Sequence, residues 1–337
     1  MSTHVGIEAP SPGVEAALLD AIRQSRAMTS ELPGGGGDVP GEGDAQREQT
    51  IALGVAHALY GPWYARWSSA SGADAAPLSQ PAAGRGLVES LRAAHADTSR
   101  WEEGWKVERV SSAGRVIAAK EPVRRVLDPI DYLNLDRPGL PPHPGASVLV
   151  CARRDSTSAQ AGYWVTFGQS WSHAAPPADL VRLYWNVTAE AVPLLVAELT
   201  AKLGDEGIPY SLKCPVDSPG YLRADTAVTF LPASSFDAAA TAIRQVHTTN
   251  RAHLGADVPR LTKRLAPGLG VAEDPEGEES FGLSRCRLVA EGLAGPLARG
   301  ESDEHHLLAA VCRSLQAAGI PLGRPHLRSW SSRDYEL

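Results

Sequence analysis

The sequence predicts an α+β fold, in which a mixed or antiparallel sheet is flanked by helices. Segments with strand-like alternation of apolar and polar residues lie next to one another and are joined by short turns, as in hairpins. Helical segments fall between and after them in mixed order, which differs from the regular strand–helix alternation of a doubly wound parallel sheet. No internal repeat is visible along the 337 residues.

Composition limits the function classes. The length allows one large domain or two small ones. With 32 basic and 39 acidic residues the net charge is −7, which argues against a general nucleic-acid or anionic-membrane surface. An anion site must therefore be a local cluster of cations. No signal-peptide core is present, and no segment approaches the ~18 apolar residues of a membrane span.

The cysteines predict a cytoplasmic protein. None of the four shows CxxC pairing or metal-ligand spacing, so we interpret them as reduced thiols in the core. They are Cys151, Cys214, Cys286 and Cys312.

The N-terminal part is predicted to contain two helices separated by flexible stretches. Residues 14–29 form the first and 47–67 the second, which has apolar residues on one face. Residues 31–46 are Gly/Pro-rich and acidic, as is typical of a linker, and 68–86 form a second interruption. We expect residues 1–46 to be a flexible N-terminal segment.

A hairpin is predicted next. Residues 104–120 alternate on both sides of a Ser-Ser-Ala-Gly turn. The stretch 133–146 is proline-rich and is the best candidate for a subdomain boundary. It would separate a helical and hairpin portion, 47–135, from a catalytic portion, 147–330, unless one continuous domain begins at residue 47.

Strands and helices are clearer in the C-terminal portion. A helix is predicted after residue 188, with Thr188 as its N-cap, Pro193 in its first turn and Gly204 beyond its end. Asp237 is predicted to cap a helix that runs to about residue 252. The remaining predicted elements are strands at 147–154, 163–170, 181–188, 208–212 and 224–230, and a helix at 303–319.

Three polar residues follow one of these strands at intervals of two. Arg182, Tyr184 and Asn186 would share one face, while the other face carries Val181, Leu183 and further apolar residues. Such a polar face is either solvent-exposed or part of a site. The same two readings apply to Lys213 and Arg223, which could be cations snorkelling at a sheet edge or could hold an anion.

A third group of cations surrounds a Pro-Gly-Leu-Gly turn within residues 258–287, a composition that indicates a binding loop. Its members are Arg260, Lys263, Arg264, Arg285 and Arg287. The loop lacks P-loop spacing, and the sequence has no HExxH, GxSxG or strand-following GxGxxG motif. The neighbouring His305 and His306 point apart on a helix, which makes metal ligation there improbable.

Five sequence blocks carry a family resemblance. YWN, IPY-x-LK, YLRAD, LAPGLG-x-AEDP and SFG-x-SRC occur in this order, within a match from about residue 47 to 328. Together they resemble the HopA-type effector family. Members of that family occur as type III effectors of plant pathogens. They also occur as stand-alone enzymes of class V lanthipeptide and thioamide peptide biosynthesis, beside a phosphotransferase-like kinase.

The resemblance implies a lyase site without a cofactor. Catalytic members look distantly like phosphothreonine lyases and the lyase domains of class III lanthipeptide synthetases, which use a K-x-H-x-S strand and a downstream lysine base. Arg182 stands at the first lysine of that pattern, Tyr184 at the histidine, Lys213 at the base and Arg223 at a phosphate-binding arginine. Because tyrosine replaces histidine, two candidates remain for the general acid, Tyr184 and a cation.

The remaining site residues are expected in supporting positions. Lys263, Arg264 and Arg285 are expected to join Arg182 and Arg223 in binding phosphate. Asn186 and Asp225 are expected to support the site, and no metal is expected.

This implied function is elimination of phosphate from phosphoserine or phosphothreonine of a ribosomal precursor peptide, giving dehydroalanine or dehydrobutyrine. The implied partners are the phosphorylated precursor peptide, a phosphotransferase-like kinase and a separate cyclase, but neither nucleic acid nor a membrane. Neighbouring cations and burial would lower the pKa of a lysine from ~10.4, as a base requires. The alternative is a non-catalytic, effector-like protein that binds a phosphopeptide or a kinase.

Overall fold

The computed structural model confirms the α+β class, and its described part forms seven α-helices and twelve strands in two antiparallel sheets. The described residues are 9–29, 44–66, 85–96, 100–152, 154–171, 177–277 and 279–337. The predicted linker at 31–46 and the interruption at 68–86 fall mostly outside them.

The first sheet has the strand order β3-β2-β1-β5-β4 and a small core of its own around Trp105 and Val148. Its β1–β2 pair confirms the predicted hairpin. β5 pairs with β1 after the proline-rich connection, so the chain returns to the same sheet. The strands are β1 (Arg100–Val110), β2 (Val116–Lys120), β3 (Val123–Leu127), β4 (Tyr132–Asn134) and β5 (Ser147–Ala152).

The second sheet has the order β11-β12-β8-β10-β9-β7-β6 and carries the candidate site. Its central strands are buried on both faces, which explains their nearly continuous apolar character. The strands are β6 (Asp155–Ser156), β7 (Tyr163–Phe167), β8 (Leu180–Trp185), β9 (Ser211–Pro215), β10 (Ala227–Pro232), β11 (Lys263–Ala266) and β12 (Leu269–Glu273).

Helices cover both faces of the second sheet. On one face, Leu183 and Trp185 of β8 share a core with α3 (Arg85–Ala94), α4 (Val192–Asp205) and α5 (Phe236–Asn250). On the other face, Tyr184 and Val228 share a second core with the remaining helices. These are α1 (Pro12–Thr29), α2 (Asp44–Leu59) with a π-helical turn at Tyr60–Tyr64, α6 (Phe281–Ala298) and α7 (Glu304–Ala317).

Some local predictions were wrong. Helix α4 begins at Val192, with Ala191 rather than Thr188 at its N-cap position, because a turn in which the Thr188 carbonyl accepts a hydrogen bond from the Val192 amide (3.0 Å) precedes it. Asp237 lies in the first turn of α5 and does not cap it. The predicted binding loop at 258–287 is largely the β11–β12 hairpin and the first turns of α6.

A buried carboxylate fixes the residues that follow α7. Glu273, at the end of β12, accepts hydrogen bonds from the Tyr335 and Ser331 hydroxyls (both 2.7 Å) and from the Arg328 amide (2.9 Å). These bonds hold residues 328–335 against the sheet.

All four cysteines are free. Among the described helices, none is long and apolar enough to cross a bilayer.

Candidate functional site

Sheet register places the central candidates on one face of the second sheet. Lys213 of β9 lies opposite Val228 of β10, which lies opposite Tyr184 of β8. Arg182, two residues before Tyr184, lies opposite Phe230. Because residues in register share a face, Lys213, Tyr184 and Arg182 project to the same side, toward α6 and the π-helical turn. There they line a narrow cleft.

Lys213 is enclosed by aromatic rings and by cations. Its Nζ lies 4.9 Å from the centre of the Tyr163 ring and 5.7 Å from that of Phe230, and donates a long hydrogen bond (3.4 Å) to Gln160 Oε1. Burial, reinforced by the charge of Arg182, lowers the pKa of Lys213 to about 8. A lysine with this pKa is partly neutral near physiological pH.

Arg182 is held in place by a carboxylate that directly follows β12. Its Nε donates to Asp274 Oδ1 at 2.6 Å, and Nη2 forms an ion pair with the same oxygen. The guanidinium also lies 5.0 Å from the centre of the Phe230 ring. Arg182 is only 8% exposed, so the structure excludes a solvent-exposed polar face on β8. Burial also raises the pKa of Asp274, although the Arg182 charge opposes that change.

Arg223 lies beside the cleft, in the segment that precedes β10, and contacts two of the residues that line the cleft. Its Nε and Nη2 donate to the two oxygens of Asp225, each at 2.7 Å, in a bidentate ion pair. Nη2 also donates to the Tyr60 hydroxyl at 3.3 Å, and the guanidinium lies over the Tyr60 ring. Asp225 therefore holds the Arg223 guanidinium in position.

Tyr184 has an unsatisfied hydroxyl. The side chain is 2% exposed, and its oxygen has no partner in good hydrogen-bond geometry among the described residues, although the Tyr64 hydroxyl lies near enough to interact with it. Burial raises the pKa of Tyr184 to about 12, although Arg182 opposes that increase. The hydroxyl therefore keeps its proton at neutral pH. Tyr60, Tyr64 and Tyr163 also line the cleft.

The N-terminus of α6 faces the same cleft. Ser280 caps the helix, with Oγ accepting a hydrogen bond from the Leu283 amide at 3.3 Å. Ser280 and Gly282 both line the cleft. A Cβ atom on Gly282 would lie 2.2 Å from Cε1 of Tyr64, so only glycine lets the helix approach this closely. Helix N-termini favour anions because their first amide groups are unpaired and the helix dipole is positive there.

Several expected site residues lie elsewhere. Lys263 and Arg264, on β11, line a separate groove. Arg285 is buried on α6, where its guanidinium donates to the carbonyls of Pro325 (2.9 Å) and Leu327 (2.6 Å). Asn186 lies beyond the end of β8 and donates to the Asp257 carbonyl at 3.0 Å. The structure thus does not bring these four residues to the cleft, because two belong to an edge hairpin and two support backbone segments.

The cleft lining and the residues ion-paired to it combine three cations with two carboxylates. With Lys213 protonated, the formal charge of these five residues is +1. Arg182, Lys213 and Arg223 contribute the positive charges, and Asp225 and Asp274 the negative ones. The open space is about 10 Å³, which is room for about one water molecule. Among the described residues, no group of three or more His, Cys, Asp and Glu side chains is placed to hold a metal ion. The chemistry available in this cleft is thus anion binding and proton transfer.

A family comparison covers most of this site. The model of the HopA1 effector protein family matches residues 154–327, just over half of the 337 residues. The chain belongs to the HopA1 effector protein family. Arg182, Tyr184, Lys213, Arg223 and Ser280 all fall inside the matched HopA1 region, whereas Tyr60 and Tyr64 precede it.

A solved effector structure shares the overall fold. An effector protein from Pseudomonas syringae pv. syringae strain 61 is 13% identical, with a TM-score of 0.51 over 96% of this chain and 100% of that chain. An effector protein from Pseudomonas syringae pv. tomato strain DC3000 is 14% identical, with a TM-score of 0.48 over 93% and 99% of the two chains. A search of curated proteins gives no match. At this identity, the likeness extends to the fold alone.

The sequence analysis did not identify five residues of the candidate site. Tyr60, Tyr64 and Tyr163 stand in no polar pattern that would single them out, and Asp274 lies within an acidic stretch of the sequence, residues 273–279. The place of Ser280 could have been predicted, because a serine directly before an apolar run is typical of a helix N-cap. The contacts of the other four depend on chain segments that are distant in sequence.

Proposed function

We propose that this protein is a lyase that removes phosphate from phosphoserine or phosphothreonine in a peptide. The product would contain dehydroalanine or dehydrobutyrine. The observation that supports this most directly is Lys213, a lysine of lowered pKa on the same sheet face as Arg182 and beside Arg223. A base next to anion-binding groups is the arrangement that phosphate elimination needs.

Lys213 would act as the base. In its neutral form, Nζ takes the Cα proton of the phosphorylated residue. The electrons of that C–H bond form the Cα=Cβ double bond, and the Cβ–O bond breaks with its electron pair leaving on phosphate. Its pKa of about 8 leaves about a tenth of the lysine neutral at pH 7, against well under 0.1% at the ordinary value.

Arg182 and Arg223 would hold the phosphate. Their hydrogen bonds to Asp274 and Asp225 use Nε and Nη2, and leave the Nη1 group of each without a described hydrogen bond. Arginine offers five N–H donors, so one guanidinium can hold a carboxylate and a phosphate together. The first amides of α6 would add uncharged donors. Since the cleft has room for about one water molecule, phosphate entry requires side chains to move.

Tyr184 would donate a proton to the leaving phosphate. Its hydroxyl is protonated at neutral pH and has no hydrogen-bond partner in the described cleft, so a phosphate oxygen would give it one. A buried hydroxyl without a partner costs free energy, and a bound oxyanion would recover part of that cost. The alternative acid is an arginine that stabilises phosphate without transferring a proton. We favour Tyr184 because it neighbours Arg182 on the same strand face.

The proposed setting is cytoplasmic peptide tailoring. A phosphotransferase-like kinase would phosphorylate Ser or Thr of a ribosomal precursor peptide, as in lanthipeptide-type biosynthesis. This protein would then form the dehydro residue, to which a cyclase on a separate protein would add a cysteine thiol.

A second candidate function is phosphopeptide or kinase binding without catalysis. It is favoured by one observation: both arginines of the cleft are already engaged by carboxylates, in a cleft with little open space. A binding protein could exchange these carboxylates for phosphate and do no chemistry. The two functions differ in what happens to the bound peptide.

The test is the mass of a phosphoserine peptide after incubation with the protein. A lyase produces a peptide lighter by one phosphoric acid, and the Lys213→Ala variant leaves the phosphopeptide unchanged while still binding it. A phosphatase would produce a peptide heavier than the lyase product by one water. An unchanged peptide that nevertheless binds the wild-type protein would refute the lyase and support the binding function.

A further inference from the structure

A second cationic site lies in a groove of about 550 Å³ between α1, β11 and the segment after α7. Its volume greatly exceeds that of the candidate catalytic cleft. Arg264 and Arg324 are exposed in this groove, and no hydrogen bond or ion pair is described for either side chain. The other cations of its lining are Arg66, Arg260 and Lys263, which are each paired with a carboxylate.

Two buried nitrogen atoms of the groove lining have no partner among the described residues. His326 is 6% exposed, and its Nε2 makes no hydrogen bond. Arg260 donates to Asp20 through Nη2 (2.9 Å), whereas its Nε is buried and unpaired. Buried polar groups are nearly always satisfied in folded proteins, and those that are not often mark the place of a ligand or water. Here both belong to side chains that line one groove.

One end of the groove already binds carboxylates. Lys263 Nζ donates to Asp334 Oδ1 at 2.6 Å and to Glu336 Oε1 at 2.5 Å, and Asp334 itself lines the groove. The chain therefore places acidic side chains of an extended segment against β11. This arrangement shows the kind of group that the groove accommodates, which is a carboxylate carried on an extended peptide.

The groove lies along the β11 edge of the second sheet, and its Arg264 faces the same side of the sheet as the catalytic candidates. Arg264 is in register with Gly270, and Gly270 is in register with Tyr184. Arg264 is thus two strands from Tyr184 and four from Lys213, or about 10 Å and about 19 Å between Cα atoms. An extended peptide covers about 3.3–3.6 Å per residue, so about six residues or more would connect the two sites.

We propose that this groove binds an acidic segment of the peptide substrate, about six or more residues from the phosphorylated residue. The inference rests on the proposed lyase function for the identity of the peptide, but not for the binding itself. Arg264 and Arg324 would pair with the acidic side chains, and the unpaired nitrogens of His326 and Arg260 would bind peptide oxygens. Anchoring outside the cleft would supply affinity that a cleft with little open space cannot supply alone.

The kinetic test compares two phosphoserine peptides that differ only in a distal run of glutamates or glutamines. We expect the glutamate peptide to have a KM about tenfold lower with an unchanged kcat, because the groove is remote from the reacting atoms. Arg264→Glu combined with Arg324→Glu should remove that advantage and leave the glutamine peptide unaffected. Arg244→Glu is the matched control, because Arg244 is exposed on α5, against the opposite face of the sheet.

A binding measurement keeps this inference separate from the lyase proposal. Fluorescence anisotropy of a labelled hexaglutamate peptide needs no catalytic activity, so it can be measured with the Lys213→Met variant. We expect binding that weakens with salt, is lost in the Arg264→Glu/Arg324→Glu variant and persists in Arg244→Glu. Asp334→Asn with Glu336→Gln, which frees Lys263, should tighten it.

Equal KM values for the two phosphopeptides, or hexaglutamate binding that survives the double reversal, would overturn the inference. Equally tight binding of an oligouridylate of the same charge would also overturn it, because the groove would then be a general polyanion site. If hexaglutamate binds as expected but no phosphopeptide is dehydrated, the groove is supported as an acidic-peptide site and the lyase proposal fails.

Discussion

Replacing Lys213 with methionine should abolish elimination and at the same time stabilise the fold. Methionine has a similar length and no charge, so it fills the same space beside Tyr163 and Phe230. The lysine, by contrast, carries a charge in a partly buried site next to Arg182. A residue kept for catalysis at a cost in stability is the expected signature of a functional site.

The magnitude follows from the pKa of Lys213, which is lowered from 10.5 to about 8. Each pKa unit corresponds to about 1.4 kcal/mol, so the charged lysine costs about 3 kcal/mol of folding free energy. The lost cation–π contacts reduce the expected gain by about 1–2 kcal/mol. We therefore expect Lys213→Met to raise the free energy of unfolding at pH 7 by about 1–2 kcal/mol.

The gain should depend on pH in a defined direction. The folded-state pKa lies below the unfolded-state value, so below about pH 8 both states are protonated and the full cost is present. Between about pH 8 and 10.5, the folded protein loses its proton before the unfolded chain does, and the wild type becomes relatively more stable. The difference between Lys213→Met and the wild type should therefore shrink over that range.

Urea denaturation at pH 7 and pH 9.5 measures this difference. Lys120→Met, at an exposed lysine of β2, is the control and should change stability by less than about 0.5 kcal/mol at either pH. A Lys213→Met variant that is less stable than the wild type at pH 7 would show that the lysine is a structural residue. Retained elimination in this variant would show that another group is the base.

Three further outcomes are expected. The value of kcat/KM should rise about tenfold per pH unit below about pH 8 and level off above it. The midpoint of the kcat profile should lie at higher pH, because bound phosphate favours protonated Lys213. Rates that do not depend on pH would contradict this role of Lys213. Tyr184→Phe should slow single-turnover elimination by roughly 10²–10⁴-fold without lowering the melting temperature, since the hydroxyl has no described partner; a normal rate, together with a large loss in Arg182→Ala, would transfer the leaving-group role to the arginine. Gly282→Ala should cost about 1–3 kcal/mol, because the added methyl group overlaps Tyr64, and thermal unfolding that matches the wild type would contradict the close approach of α6.

Local patterns predicted strand β8 of the site well, whereas the strand predicted at 208–212 overlaps β9 only at its start. Alternation along residues 181–187 placed Arg182 and Tyr184 on one face and Leu183 and Trp185 on the other, as the structure shows. The period of two is a property of the strand itself, so it needs no knowledge of the neighbours. Whether the polar face met solvent or other side chains could not be read this way, because that depends on the helices packed against it.

Contacts between distant segments could not be predicted from the sequence. Asp274 pairs with Arg182 across 92 residues, and Tyr60 contacts Arg223 across 163 residues. The segment 258–287 shows the opposite error, because its glycines and prolines suggested a loop. Gly268 instead serves a tight hairpin turn, with φ of +72° and too little space for a Cβ beside the Gly255 carbonyl. This turn places β11, with Lys263 and Arg264, at the sheet edge along the second groove and away from the cleft.

The central claim is that Lys213 removes a Cα proton and that phosphate leaves. The most direct measurement is single-turnover mass spectrometry of a phosphoserine peptide deuterated at Cα, at pH 8. We predict a product that has lost one phosphoric acid together with the deuterium, formed more slowly than from the protonated peptide and not formed by Lys213→Met. A dephosphorylated product that retains both the deuterium and its serine oxygen, or a dehydrated product formed equally by Lys213→Met, would contradict the account.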